Sequence, residues 1–453
     1  MAKFESLDAG FSYIESFVNL ERQRRPREYR LERMQFLLDR FDHPERGIKF
    51  IHVAGSKGKG STSTFIANIL EQAGIPTGLF TKPHVVSYRE RITRSGIEFP
   101  DEFYLSLIHE IRDGVDAIRD QFPDPEMIPT TFELLTLMGF LAFKRQGYEW
   151  VVMETGIGGR LDATNVILPQ ASVITPIELE HTDLLGTTIP QIASEKAGII
   201  KPSVPVFVSR QPADAFEVFE NRARYTGSAL LSLARELATL DAQPSISGTT
   251  VSMSFSDGLR LNTRLRLIGA VQAENAALAA LVVRRLFPDI LPADIERGLA
   301  RTFLPGRMEM VKANPPVMLD GAHTAVSAQK VLATFQSLYP AGDGILVFGA
   351  VDGKNYAAMI EILCPAFRDI IVTTPGYFKT SHPEEVYRLV RAQNERARLV
   401  PSPRDAIRQA VALAGTGSAS RPVLVTGSFY LVGETRRELV AARREAVGSE
   451  TIS

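Results

Sequence analysis

The stretch Gly55-Ser56-Lys57-Gly58-Lys59-Gly60-Ser61-Thr62 carries the residue types that bind a nucleotide phosphate. Glycines let the backbone approach an anion closely and aim N–H groups at its oxygens. A helix N-terminus adds its partial positive charge. In that setting Lys59 reaches the β- and γ-phosphates, and the Ser61 hydroxyl is placed to ligate Mg²⁺. The run Lys49–Ala54 ahead of the loop predicts a strand, and a helix is expected to start at the serine. The strict P-loop spacing is not kept, because Gly60 separates the lysine from the serine and Gly55 lies closer to Lys59. An ordinary strand–turn–helix corner is the competing reading, and three glycines with a lysine between two clear elements argue against it.

Other chemistry-bearing residues fall at the ends of predicted strands. Glu154 closes the buried-type run Trp150–Met153 and leads into Thr155-Gly156-Ile157-Gly158-Gly159-Arg160-Leu161-Asp162-Ala163-Thr164-Asn165. His181 stands in Glu180–Gly186, after the strand expected at Ser172–Thr175. Taken singly, a strand-end Glu reads as a solvated cap and a loop His as a hydrogen bonder. Lys196 beside Glu195 reads as a surface charge, and Arg307 after Pro305-Gly306 as a turn residue. In open parallel sheets, however, ligands bind at the carboxyl ends of strands. Ser61, Glu154 and His181 share that location, which argues for one site.

Strands alternate with helices over most of the chain, predicting a mainly parallel sheet covered on both faces. Apolar spacing marks helices within residues 3–40, over 101–120, from Thr130-Thr131-Phe132-Glu133 to Lys144, and from about Ala273 to Leu286. Val251, Met253 and Phe255, the turn Asp257-Gly258, and Leu259 to Leu267 predict a β-hairpin. A second α/β unit follows, with strands at Val317–Leu319, Ile345–Phe348, Ile370–Thr373 and Val423–Thr426. The boundary is expected near Leu304–Arg307, giving units of residues 1–304 and 305–453. The basic stretch Arg22–Arg27 reads as a solvated loop, and the tail beyond about Ala446 as frayed.

Composition bounds the function. A chain of 453 residues with 51 Lys plus Arg against 52 Asp plus Glu argues against a general nucleic-acid or anionic-membrane binder. No apolar run is long enough for a membrane span, and the N-terminus lacks a signal-peptide layout, so a cytoplasmic enzyme is expected. The single cysteine, Cys364, excludes an internal disulfide and a Cys-rich zinc site.

The sequence resembles the folylpolyglutamate synthase/dihydrofolate synthase family of Mur-type ligases. The motifs that carry the likeness are His52–Ser61, Phe80–His84, Glu154–Asn165, His181–Gly186, Glu195–Lys201, Pro305–Glu309, Asp320–His323 and Thr426–Glu434. The resemblance implies a P-loop ATPase domain followed by a smaller Rossmann-like α/β domain. It implies an ATP- and Mg²⁺-dependent ligase that adds L-glutamate to dihydropteroate, to folyl glutamates, or to both. The acid's carboxylate would attack the γ-phosphate, and the glutamate amine would then displace phosphate from the acyl phosphate. By the same resemblance Gly55, Gly58, Lys59, Gly60, Ser61, Thr62, Arg307, Asp320 and His323 bind ATP. Ser61, Glu154 and His181 contact Mg²⁺, and Lys196 is carbamylated. Lys59, Glu154, His181 and Lys196 form the catalytic set. Thr131, Phe132, Glu133, Arg160, Asp162 and Ala163 lie on the substrate side. The partners implied are small molecules acting on a monomer, with no nucleic acid and no membrane.

Several positions depart from the family pattern. Lys57 stands where asparagine is usual, and Lys82 where a serine contacts Mg²⁺. An ammonium cannot ligate a cation, so Lys82 would expel the first Mg²⁺, replace part of its charge, or swing toward phosphate. A histidine is missing from Gly269-Ala270-Val271-Gln272, Leu304 replaces a tryptophan, Thr324 an asparagine, and Lys354-Asn355 a Lys-Asp pair. These departures leave two competitors: a ligase of the same mechanism on a non-folate acid, and an inactive nucleotide- or folate-binding homologue. A generic P-loop NTPase is less consistent, since it would not need the second-unit motifs.

Overall fold

The computed structural model describes residues 3–19, 30–118, 122, 125–376, 379–416 and 420–450. The Arg22–Arg27 stretch lies outside them. Seven strands build the first sheet: β1 (Lys49–Ala54), β2 (Thr77–Phe80), β3 (Ile92–Arg94), β4 (Trp150–Glu154), β5 (Ala171–Ile174), β6 (Val206–Val208) and β7 (Leu230–Ser232). A meander follows, β8 (Leu237–Ser245), β9 (Gly248–Phe255) and β10 (Arg260–Leu265). The last sheet holds β11 (Glu309–Ala313), β12 (Pro316–Leu319), β13 (Ile345–Phe348), β14 (Asp369–Val372), β15 (Arg398–Leu399) and β16 (Val423–Thr426).

The first sheet runs β3-β2-β4-β1-β5-β6-β7, parallel except for the edge strand β3. The strands β2, β4, β1 and β5 are therefore immediate neighbours. Their register pairs Phe80 with Met153, Val53 with Glu154, and Ala54 with Ile174. Whatever follows these four strands emerges side by side on one edge. The last sheet, β11-β12-β16-β13-β14-β15, is also parallel apart from its edge strand β11.

Both faces of the first sheet are covered, as apolar strands demand. On one side Phe65, Ile66, Ile69 and Leu70 of helix Lys59–Gln72 pack with helices Ala270–Leu286 and Pro292–Arg301 and with the meander. On the other, helices Leu31–Arg40, Asp101–Ala117 and Thr131–Arg145 bury Leu37, Tyr104, Ile108 and Phe140. Among the described residues no helix is long and apolar enough to cross a membrane.

Some expectations change. Among the described residues, the two helices expected within 3–40 are Leu7–Glu15 and Leu31–Arg40; the first ends short of Val18, which bridges to Thr130. The final helix runs from Phe429 to Glu450, past the fraying expected near Ala446. Strands β3, β7, β8, β11 and β15 are not foreseen from the sequence. β8 alternates polar residues on an exposed face, and β15 has two residues, so neither leaves a clear apolar signature.

The helix carrying the phosphate loop is locked by a close approach. A Cβ on Gly298 would fall 2.4 Å from the Ile69 Cα, and backbone cannot yield as a side chain does. Gly298→Ala is expected to destabilise the protein by about 1–3 kcal/mol. A lower urea midpoint with an unchanged slope would verify it; an unchanged midpoint would show that the helices separate freely.

Candidate active site

The loop after β1 is shaped by two glycines. Gly55 has φ +150°, and a Cβ there would lie 1.8 Å from the Thr175 hydroxyl. Gly58 caps the helix at φ +84°, a left-handed conformation, and a Cβ would strike the Asn275 amide. The helix starts at Lys59, not at the serine as the sequence suggested, because the left-handed cap completes the turn earlier. Its first internal bond runs from Thr62 N–H to the Gly58 carbonyl. The N–H groups of Lys59, Gly60 and Ser61 precede that bond and are the donors a phosphate takes. Ser61 is buried. Among the described residues, the Thr62 and Ser63 hydroxyls are buried without a hydrogen-bond partner.

Two ammonium groups converge on one oxygen. Lys59 Nζ donates to the Gly55 carbonyl at 2.8 Å, and Lys196 Nζ donates to it at 2.9 Å. Lys196 also pairs with Glu180 at 3.0 Å, while Lys57 Nζ stands 4.0 Å from the other oxygen of Glu180. Burial brings the Lys196 ammonium down to about 8; Glu180 opposes that fall and Lys59 adds to it. Burial also works against the Glu180 charge, but Lys196, Lys59, Lys57 and His181 outweigh it and hold the carboxyl at about 2. Glu180 is thus a permanent anion among three lysines. It sits beside His181 after a strand, where in the sequence one acidic residue looks like any other.

Glu154 ends β4 next to the loop. One of its oxygens lies 3.4 Å from where a Gly60 Cβ would be, and the same oxygen accepts the Lys82 N–H at 3.1 Å. Burial raises the carboxyl to about 7, against the pull of Lys59, the Lys82 N–H and Arg307. His181 has φ +47° and caps the short helix Thr182–Leu185. Burial, opposed by Glu180, keeps its imidazole neutral with a pKa lowered to about 3. Lys82, Glu154, the phosphate loop and Glu180-His181 thus come off β2, β4, β1 and β5 in spatial order.

The second unit closes the site. Asp320 follows β12 and accepts the N–H groups of Met308 and Ala322. Arg307 lies 4.2 Å over the Phe429 ring. Burial lowers the Arg307 guanidinium, and Asp320 and Glu154 oppose this. His323 Nδ1 is 2.9 Å from the Gly321 carbonyl, and burial holds the ring neutral. Lys330 on helix Ala325–Leu338 pairs with Glu178 of the first unit at 2.6 Å.

A cavity opens beside Lys82, and Thr131, Phe132, Glu133, Asp162 and Ala163 all line it. Their side chains are partly committed. The Thr131 hydroxyl donates to Ile14 and Phe17 carbonyls, and Glu133 closes a capping box with Thr130 while pairing with buried Arg33. The Asp162 carboxylate accepts the N–H groups of Gly156, Ile157 and Thr164 and the Thr164 hydroxyl. Phe132 presents its ring to Lys82 Nζ, 5.2 Å from the centroid. Arg160 is not part of that cavity. It pairs with Glu195 on the wall of a second cavity.

This architecture is that of a Mur ligase: residues 53–283 match the Mur ligase middle domain, and residues 306–429 the Mur ligase glutamate ligase domain. The dihydrofolate synthase/folylpolyglutamate synthase of Bacillus subtilis is 33% identical over 414 residues, 90% of this chain and 94% of that protein. The folylpolyglutamate synthase of Mycobacterium tuberculosis, solved with ADP and AMPPCP, superposes with a TM-score of 0.87 at 28% identity, covering 96% of this chain and 99% of that one. An FPGS–AMPPCP–folate complex gives a TM-score of 0.81 at 29% identity, covering 96% and 100%. The chain belongs to the folylpolyglutamate synthase/dihydrofolate synthase family of Mur ligases.

The raised Glu154 carboxyl gives a pH signature. Its folded pKa, about 7, lies above the ordinary value of 4.5, so the folded state binds the extra proton between the two. Stability from this group is therefore greatest below the lower value and falls as pH rises through the upper one. Glu154→Gln cannot ionise and keeps an acceptor for the Lys82 N–H. In metal- and nucleotide-free buffer its stability relative to wild type should rise between about pH 5 and pH 8, by an amount on the order of 3 kcal/mol. Urea unfolding at both pH values measures this; a constant difference would mean that Glu154 titrates normally.

Proposed function

We propose that the chain uses ATP to join L-glutamate to a pterin-bearing acid, dihydropteroate or a reduced folyl glutamate, through an acyl phosphate. One observation carries the reading: Lys82 lines the aromatic-walled cavity, and its N–H bonds to Glu154, whose oxygen lies close to Gly60 of the phosphate loop. An acid held in the cavity has its carboxylate end beside the terminal phosphate of a nucleotide on the loop. Family membership and the folate complex of a relative support the substrate class.

In this reading Gly55, Gly58 and Gly60 shape the cradle, Lys59 leaves the Gly55 carbonyl for the transferring phosphoryl group, and Arg307, Asp320 and His323 hold the nucleotide from the second unit. Both reactants are anions, so cations must screen them as they meet. Closure of residues 305–453 over residues 1–304 keeps the acyl phosphate from water. Phe132 and the loop at Asp162 and Ala163 hold the ring system of the acid; Arg160 is left to the cavity at Glu195.

The donor set suits Mg²⁺. The Ser61 hydroxyl and the Glu154 carboxylate flank Gly60, and one carboxylate with phosphate oxygens and water is how this ion is commonly held. Bound there, Mg²⁺ would neutralise phosphate charge. His181 is neutral and can offer a ring nitrogen to a second ion. Lys196, at about 8, has a neutral fraction near pH 7, as carbamylation requires. The carbamate would put an anionic oxygen where an ammonium now sits.

The protein, incubated with ATP, Mg²⁺, bicarbonate, L-glutamate and either dihydropteroate or tetrahydrofolate, should yield the acid carrying added glutamate by mass spectrometry. Lys59→Met should lower kcat by at least about 100-fold. Lys57 and Lys82 motivate the second reading, a non-folate acid; ADP release with another acid and none with either pterin would select it.

A further inference from the structure

His52 lies on β1, shortly before Gly55, and is fully buried. Its Nε2 is 2.8 Å from the Thr164 hydroxyl, while its Nδ1 is buried without a hydrogen-bond partner. A methionine or leucine would fill such a place without the cost of an orphaned nitrogen. The bond to Thr164 is what a hydrocarbon could not supply.

The neighbours of Thr164 set the direction of that bond. Thr164 has one hydroxyl hydrogen, and its oxygen stands 2.6 Å from Asp162 Oδ1, an acceptor. The hydrogen goes to Asp162, which assigns the proton of His52 to Nε2, donating to Thr164. Asp162 Oδ1 also accepts the Thr164 N–H at 3.1 Å, and Oδ2 accepts the Gly156 and Ile157 N–H groups at 2.9 Å each. Four donors commit this carboxylate to its own loop. Ile157, Leu161 and Ala163 of that loop line the substrate cavity. Gly156 is held so close to Phe132, another wall residue, that a Cβ would fall 2.6 Å from the ring.

Strand β1 therefore serves both halves of the site. Its end opens into the phosphate loop, and His52 ties the cavity wall to the same strand. An acid that must meet the terminal phosphate needs these two surfaces in fixed relation, because small misplacements of reacting atoms are costly. We propose that His52 is a positioning residue for the acid substrate: through Thr164 and Asp162 it fixes the wall of the cavity relative to the phosphate loop. This rests on the pterin-acid reading above. His52 does not itself line the cavity, so its effect passes through its partners.

The test titrates the full chain, with AMPPCP and Mg²⁺ present, with the acid that becomes glutamylated. His52→Met and Thr164→Val should weaken the acid about tenfold and leave AMPPCP affinity within about twofold of wild type. His52→Gln, which keeps an N–H at similar reach, should recover most of the loss. The double variant H52M/T164V should bind the acid no more weakly than Thr164→Val alone, since both changes break one chain of bonds. With no acid present, amide exchange over residues 155–165 should quicken in His52→Met, while residues 58–66 keep wild-type rates. Unchanged acid affinity in His52→Met, equal losses of acid and AMPPCP, additive losses in the double variant, or no recovery by His52→Gln would each overturn the proposal. If wild type glutamylates neither pterin acid, the substrate reading fails, and this assignment with it. Normal glutamylation by wild type with unchanged acid affinity in His52→Met rejects this assignment alone.

Discussion

The carbonyl oxygen of Gly55 is the point on which the site depends. It accepts Lys59 at 2.8 Å and Lys196 at 2.9 Å, and its position is fixed by a backbone that only glycine can follow past Thr175. Two ammonium groups on one neutral oxygen repel each other at close range. Glu180 makes the arrangement tolerable by pairing with Lys196. Burial, with Lys59 adding to it, brings Lys196 down to about 8, and the surrounding cations keep Glu180 ionised. A triphosphate arriving at the loop offers Lys59 a far stronger partner than a carbonyl. On the proposed reading its departure would relieve the repulsion, and nucleotide binding would then act on Lys196 through one atom.

The two units add charge from opposite sides. Arg307 of the second unit opposes the raised carboxyl of Glu154, and Lys57 of the first acts on both Asp320 and His323. The Glu178–Lys330 pair crosses the same junction. Backbone packing supports it, since a Cβ on Gly433 would fall 2.1 Å from the Val85 carbonyl. The segment after Lys82 therefore touches the second unit's last helix while its start is bonded to Glu154. Movement of one unit would be felt directly at the mouth of the substrate cavity.

Much of this was legible in the sequence because strand ends and glycine spacing leave strong local marks. The phosphate loop, Glu154 and His181 were recognisable as a group from their places after apolar runs, and the register of β2, β4, β1 and β5 sets those strand ends side by side. Glu180 was not legible: its meaning comes from Lys57 and Lys196, distant in sequence. The family resemblance put Arg160 on the substrate side with Asp162 and Ala163, whereas its guanidinium pairs with Glu195 away from the cavity they line. Glu133 looked like a substrate group and serves first as a helix cap and partner to Arg33. Local pattern finds positions near a site; the direction of each side chain is set by tertiary partners.

The two lysine departures do not carry equal weight. Lys57 adds a charge, but Glu180 lies 4.0 Å away, Glu178 also acts on it, and burial lowers its ammonium. Its charge is largely answered within the first unit, so it tunes the field around Asp320 and His323 more than it creates a new anion site. Lys82 has its ammonium on the Phe132 ring inside the cavity, and its backbone N–H meets Glu154. Substitution at residue 82 therefore acts on the cavity wall and on the hold over Glu154, whereas substitution at residue 57 acts on the field that the first unit sets around Asp320 and His323.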